Sequence, residues 1–174
     1  LWLQRGGPPE QPVVLYHYDP GRGAGVAKRL LAGFKGYLQT DGYDGYNAVV
    51  AENQLVHVGC MAHARRRFSE AVKAQGKNRK RGKAHRGLML IQKLYREEKQ
   101  ARKWTPEKRF AYRQQQAKPV LDERRVWLDK SLPKVPPTSA TGKALHYLHN
   151  EWDKLIRYLD DGRLPIDNNA AENA

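Results

Sequence analysis

The stretch Gly36 to Tyr46, GYLQTDGYDGY, runs an apolar, strand-like approach into a carboxylate, Asp41, and then turns on Gly42. Asp41 is either a turn residue, as Asp-Gly pairs commonly are, or an acid held at a strand end to do chemistry. A second acid, Glu172, lies in PIDNNAAENA near the other end of the chain. There it is either a first-turn glutamate favoured by the helix dipole or a functional group. Cys60 and His63 stand at C-x-x-H spacing in GCMAHARRRF. As a zinc site this is half a set: four ligands are needed and no second close pair is present. His57 is the nearest extra candidate but sits mid-strand. The alternative is a packed cysteine beside a polar histidine.

Cations are the other group with a chemistry. Lys and Arg number 32 against 18 Asp and Glu, a net charge of +14. Such a field attracts a polyanion and says nothing about fold; nucleic acid comes first, an anionic membrane surface second. Arg65, Arg66 and Arg67 occupy consecutive helical positions, so they cannot share one face. The run QGKNRKRGKAHR carries Lys77, Arg79, Lys80, Arg81, Lys83 and Arg86 and no acid. It reads as a solvated loop and is the better candidate for phosphate contact. Six phosphate contacts would give a log–log salt slope of about −5. Arg22 and Arg29 are weaker candidates. Many of these charges also serve simply to keep the surface hydrated.

The elements that must position these groups can be read from periodicity. Leu1 to Arg5 and Val13 to Tyr18 read as two strands of a hairpin, joined through GGPPEQP. A helix is expected over Ala24 to Phe34, with Val26, Leu30 and Leu31 on one face. Tyr37 to Thr40 is a short strand delivering Asp41, Tyr46 to Ala51 a brief helix, Leu55 to Cys60 a strand, and Ala62 to Ala74 a basic helix. Strands separated by helices in this order predict an α/β fold, a mixed sheet with helices on its faces. Beyond the basic loop, Gln75 to Arg86, the pattern is helical throughout. Gly87 to Lys103 is one helix. Thr105-Pro106 looks like an N-cap with proline at the first helical position, and Pro119 should kink or split the helix that follows. A linker, LPKVPPTSATG, precedes a long helix from Ala140 to Asp160 with the stripe Leu145, Leu148, Trp152, Leu155 and Leu159. Trp104, Trp127 and Trp152 lie on helical stripes and read as core packing rather than base-stacking platforms. Asp167 or Asn168 would cap a last helix holding Glu172.

At 174 residues, 40% of them hydrophobic, the chain supports one domain with room for a helical insertion. No apolar run reaches the length of a membrane span, and no secretory signal is visible. The single cysteine fits a reducing compartment. The chain begins at Leu1 and stops at AAENA, which reads as a piece of a longer protein.

Taken together, GYLQTDGYDGYNAV, CMAHARRRF and PIDNNAAENA resemble the transposase family of insertion sequence 66, a DDE-type family with a ribonuclease H-like catalytic domain. The likeness covers nearly the whole chain in the right order, and LWLQRGGPPE matches the segment that follows the family's first acidic motif. The resemblance implies metal-dependent phosphodiester cleavage and DNA strand transfer in the bacterial cytoplasm, near the nucleoid. Three carboxylates would hold two divalent ions, Mg²⁺ or Mn²⁺. Asp41 would be the second acid and Glu172 the third, with Cys60 and His63 as accessory residues near the site. Arg65, Arg66, Lys77, Arg79, Lys80, Arg81 and Lys83 are the nucleic-acid-binding candidates, and transposon ends, target DNA and a second copy of the chain the expected partners.

The implied organisation is a ribonuclease H-like core over residues 1–74, a basic loop and all-helical insertion over 75–163, and the start of the last acid's helix over 164–174. The family's first aspartate belongs on a strand upstream of LWLQR. Asp19, in the turn DPGR, and Asp44, a helix-capping candidate, are poor substitutes for it. The piece alone is therefore expected to be inactive, with an exposed sheet edge prone to association. The alternatives are a non-catalytic, basic nucleic-acid-binding remnant of such an enzyme, and a structural or assembly role for the helical insertion.

Overall fold

Two short ladders and a helical layer make up the fold in the computed structural model, which describes residues 1–8, 11–76 and 81–172. β1 (Trp2–Gly6) pairs antiparallel with β2 (Val13–His17), Trp2 opposite His17 and Gly6 opposite Val13. Gly7 (φ +85°) makes the turn, where any Cβ would press on the Gln11 carbonyl. Val13, Leu15 and Tyr16 are each more than half exposed. A two-stranded hairpin is marginal alone, and side chains moor this one to its neighbours. Trp2 donates from Nε1 to the Gly21 carbonyl (3.3 Å) and meets Tyr46 edge-on, while Gln4 donates to the Leu30 carbonyl (3.2 Å). Leu30 ends α1 (Ala24–Leu30), which stops four residues short of the expected Phe34.

β3 (Tyr37–Gln39) and β4 (Val56–Val58) pair in parallel, joined by a crossover through a 3₁₀ turn (Asp44–Tyr46) and α2 (Asn47–Asn53). The ladder is extended by Val56 N–H to the Gly36 carbonyl and Thr40 N–H to the Val58 carbonyl. Both antiparallel and parallel pairing are thus present, but as two separate ladders among the described residues instead of the single mixed sheet expected.

The core lies in the helices. α3 (Met61–Ala74) buries Met61, Ala64, Phe68 and Ala71 on one face. α4 (Lys83–Ala101) packs against it and begins four residues earlier than its apolar stripe announces. Lys83 and Arg86 are therefore helical, not part of a loop, and Lys77, Arg79 and Lys80 lie outside the described residues. Gly87 fits where the Phe68 ring lies directly on the α4 backbone, and a Cβ there would overlap the ring.

Thr105 caps α5 (Pro106–Tyr112) as expected, its side chain accepting from Lys108 N–H. The helix is interrupted near Pro119 as expected: a π-helical turn, Arg113–Ala117, separates α5 from α6 (Lys118–Ser131), and Pro119 stands in the first turn of α6.

The expected long helix Ala140–Asp160 is broken. α7 (Ala140–Asn150) ends before α8 (Trp152–Leu155), and a 3₁₀ turn, Arg157–Leu159, follows. Tertiary donors claim carbonyls that a continuous helix would keep. Gly59 N–H bonds the Lys154 carbonyl, the Arg113 guanidinium bonds that of Tyr158, and Gln114 bonds that of Leu159.

One apolar cluster joins Phe68 of α3, Ile91 and Leu94 of α4, Leu121 and Leu128 of α6, Leu145 and Leu148 of α7, and Leu155. Trp152 is buried and Trp127 packs on the cluster, but Trp104 is 41% exposed and rests edge-on against Tyr112. No helix among the described residues is long and apolar enough to cross a membrane.

Candidate active site

Because β3 and β4 run parallel, their C-terminal ends point the same way, and both sequence motifs leave from there. Asp41 follows β3 by two residues; Cys60 and His63 follow β4. In open parallel sheets this end is where ligands bind.

Asp41 is exposed, and its Oδ1 accepts from Tyr43 N–H at 3.1 Å while Gly42 turns at φ +84°. The turn role is thus real, and it leaves the carboxylate at the surface. Tyr147 of α7 supports the turn from below, donating to the Asp41 carbonyl at 3.4 Å. Its phenol is pushed up to about 12 by burial and by the Glu151 carboxylate, so it stays a donor at any physiological pH. Behind Asp41, Thr40 Oγ1 and His57 Nε2 lie 2.7 Å apart, both buried. Burial, with a smaller push from Lys154, lowers His57 to about 4. The imidazole is neutral at pH 7, and with Nε2 committed to Thr40 it is a structural group.

The chain's last segment returns to the same end. Gln39, two residues before Asp41, donates from Nε2 to the Gly59 carbonyl (3.1 Å) and the Pro165 carbonyl (3.0 Å). Met61 N–H bonds the Ile166 carbonyl. Asp167 then caps α9 (Asn169–Glu172): its Oδ1 accepts from Asn169 N–H at 3.1 Å and its Oδ2 from the Tyr95 hydroxyl at 2.6 Å. Burial and the Asp167 carboxylate push the Tyr95 phenol far up, which keeps it the donor. Glu172 Oε1 lies 3.7 Å from His63 Nε2.

The two accessory residues have different roles here. Cys60 is buried, its thiol raised above the usual range by burial although the Asn168 backbone N–H reaches it. His63 faces Glu172. No group of three or more His, Cys, Asp and Glu is assembled closely enough to hold a metal ion among the described residues, so the C-x-x-H pair has no zinc partners there. The donor types available, exposed carboxylates open to water, suit a hard cation that retains waters and substrate oxygens.

Asp19 and Asp44 are engaged locally. Asp19 is tied to Arg29 and to Gly21 N–H (2.7 Å). Asp44 opens the 3₁₀ turn and accepts from Asn47. Arg65 stacks over Tyr95 and Arg67 over Tyr147, while Arg66 is exposed. The consecutive arginines do diverge, yet two of them cover the tyrosines that brace the two acid-bearing segments. Gln39, Tyr95 and Tyr147 were not legible as site residues. Their partners lie 126, 72 and 106 positions away, and no local spacing encodes such a pairing.

Comparison with known proteins places this arrangement in context. The chain is similar to three Sinorhizobium fredii (strain NBRC 101917 / NGR234) proteins, the uncharacterized proteins y4hP, y4qI and y4jD. They are 32%, 33% and 31% identical over 94%, 94% and 95% of this chain. The chain spans about one third of the length of these relatives, 31% to 33%. No solved structure matches it. The profile of the family described as "Transposase IS66 family" matches residues 1–174, and with all three motifs inside that match the chain belongs to the IS66 transposase family.

Proposed function

We propose that this chain is part of the catalytic region of a DDE-type transposase with a ribonuclease H-like arrangement, acting on the phosphodiester backbone of insertion-sequence DNA in the cytoplasm. The observation that carries the reading is the bond from Gln39 to the Pro165 carbonyl. It ties the segment leading to Asp41 to the segment leading to Glu172, at one end of a parallel strand pair. In this reading residues 1–74 form the core, 75–163 the helical insertion and 164–174 the return to the site.

Asp41 and Glu172 would hold Mg²⁺ or Mn²⁺ together with a third carboxylate. Such ions activate an attacking oxygen and stabilise the leaving one. The chain's own residues supply the positioning. The Asp41 turn is fixed by Tyr43 N–H and Tyr147. Asp167 caps α9 and is oriented by Tyr95. His63 Nε2 faces Glu172 Oε1 at 3.7 Å. Cys60 is buried with its thiol raised by burial, which suits a packed residue better than a ligand.

The test is Asp41→Ala and Glu172→Ala in the full-length protein. Loss of a group that merely orients a metal ligand costs about 10–100-fold, so loss of a ligand itself should cost more than about 100-fold in strand cleavage, with DNA binding kept. Ordinary cleavage by either variant would remove that residue from the site. DNA binding with no cleavage by the wild-type protein would instead support the basic, non-catalytic reading that the net charge of +14 also accommodates.

A further inference from the structure

Between the start of α4 and the end of α6 lies an open cleft of about 440 Å³. Arg81, Lys83 and Arg86 line one side, Lys130 and Lys134 the other. No Asp or Glu lines it, and none of the five cations forms an ion pair among the described residues. Trp127 forms part of the wall, with the Arg86 guanidinium 5.5 Å from its ring centre. The first turn of α4 carries no acidic residue and receives no side-chain cap, so its dipole adds to the positive field. Five unpaired like charges around one concavity repel one another, and a bound polyanion relieves that repulsion. A flat bilayer surface cannot enter a cleft, whereas a phosphodiester strand can.

The position is informative as well. His63 is near the start of α3; Ala71 and Ala74, near its end, share a depression with Lys83. Ala71 and Ala74 lie about 12–17 Å along α3 from His63 at ~1.5 Å per helical residue, and Lys83 borders both that depression and the cleft.

We propose that this cleft holds the phosphodiester backbone of the DNA strand, away from the phosphate presented at the Asp41–Glu172 end. The proposal rests on the reading of DNA as substrate and extends it to a second, non-catalytic contact built by the helical segment. Lys130, Lys134 and Trp127 belong to it although they stand more than 40 positions after the basic run.

The experiment measures binding of a fluorescein-labelled 20-nucleotide single strand, and of its duplex, to the chain in EDTA across a salt series. Lys130→Ala/Lys134→Ala should weaken binding about fivefold or more and reduce the log–log salt slope by about 1.4 for the single strand or 1.8 for the duplex. Lys99→Ala/Lys103→Ala removes equal charge at the other end of α4 and should change the slope by less than half as much. Equal losses from both pairs would mean bulk charge only and overturn the proposal. Trp127→Phe should abolish the tryptophan quench on DNA binding; an unchanged quench would place the strand elsewhere. Displacement of the strand by millimolar inorganic phosphate would assign the cleft to a free anion and overturn it too. Far-UV circular dichroism checks that each variant is folded. Since no metal is present, failure here leaves the cleavage test of Asp41 and Glu172 untouched, and the reverse also holds.

Discussion

Arg113 is 1% exposed, yet its guanidinium is fully used. Nε and Nη2 go to the two Glu98 oxygens (2.8 and 2.7 Å), and Nη1 and Nη2 to the carbonyls of Tyr158, Asp161 and Leu164 (2.6–2.9 Å). Removing one partner of a buried pair leaves the other charge unpaired. Arg113→Ala should therefore lower stability by about 3–5 kcal/mol, read as a fall in the urea midpoint. Arg113→Lys should recover only part, because an ammonium cannot reproduce the planar fork. His57 gives a second prediction at this scale. Its folded value, about 4, is below the unfolded 6.5, so the unfolded chain binds more protons between those values. Stability is full above about pH 6.5 and falls as pH drops towards 4, by up to about 3 kcal/mol from this group. Thermal melts of wild type and His57→Gln from pH 7 to 4.5 check this: the variant should lose less on acidification. Tyr95→Phe removes the hydroxyl that orients Asp167. With the fold retained, strand cleavage by the full-length protein should fall while DNA affinity holds.

Elements were legible where their signal is local. The hairpin, the Asp-Gly turn, the Thr105-Pro106 cap and the basic helix over Ala62 to Ala74 all come from neighbours in sequence. The errors came where a distant partner decides. The helix through Trp152 looked continuous because the donors that draw out its carbonyls come from Gly59, Arg113 and Gln114. Asp41 and Glu172 are proposed from motifs; the groups that brace their segments carry no such mark. Close packing of α3 on α4 gives a prediction of its own. Gly87→Ala should gain about 1 kcal/mol of helix propensity yet destabilise overall by about 1–3 kcal/mol by forcing the Phe68 ring aside. The double variant with Phe68→Leu should show a favourable coupling of about 0.5 kcal/mol or more in chemical denaturation.

Across the whole molecule, stability is unevenly spread. The β1–β2 hairpin buries none of its apolar side chains fully and is moored by a few hydrogen bonds, whereas α3, α4, α6 and α7 share one apolar cluster. Amide hydrogen exchange should show β1 and β2 opening with little protection and the α3, α4 and α7 interiors exchanging only near global unfolding. Equal protection throughout would mean that the hairpin is held by more than the contacts described. The balance of charge, legible from composition alone, creates a field that attracts polyanions. Only the folded arrangement brings lysines of α6 to face the start of α4.

The grip of Arg113 on the carbonyls of residues 158, 161 and 164 bears on transplantation. Replacing residues 75–163 with a short flexible tether would spare every acid of the motifs, yet it would strip away the guanidinium and Tyr95 that hold the returning segment in place. The resulting minimal protein would keep Glu172 in its sequence and lose its bearing. Any attempt to pare this scaffold down, or to exchange its helical segment for a relative's, must carry across the residues that fasten the tail.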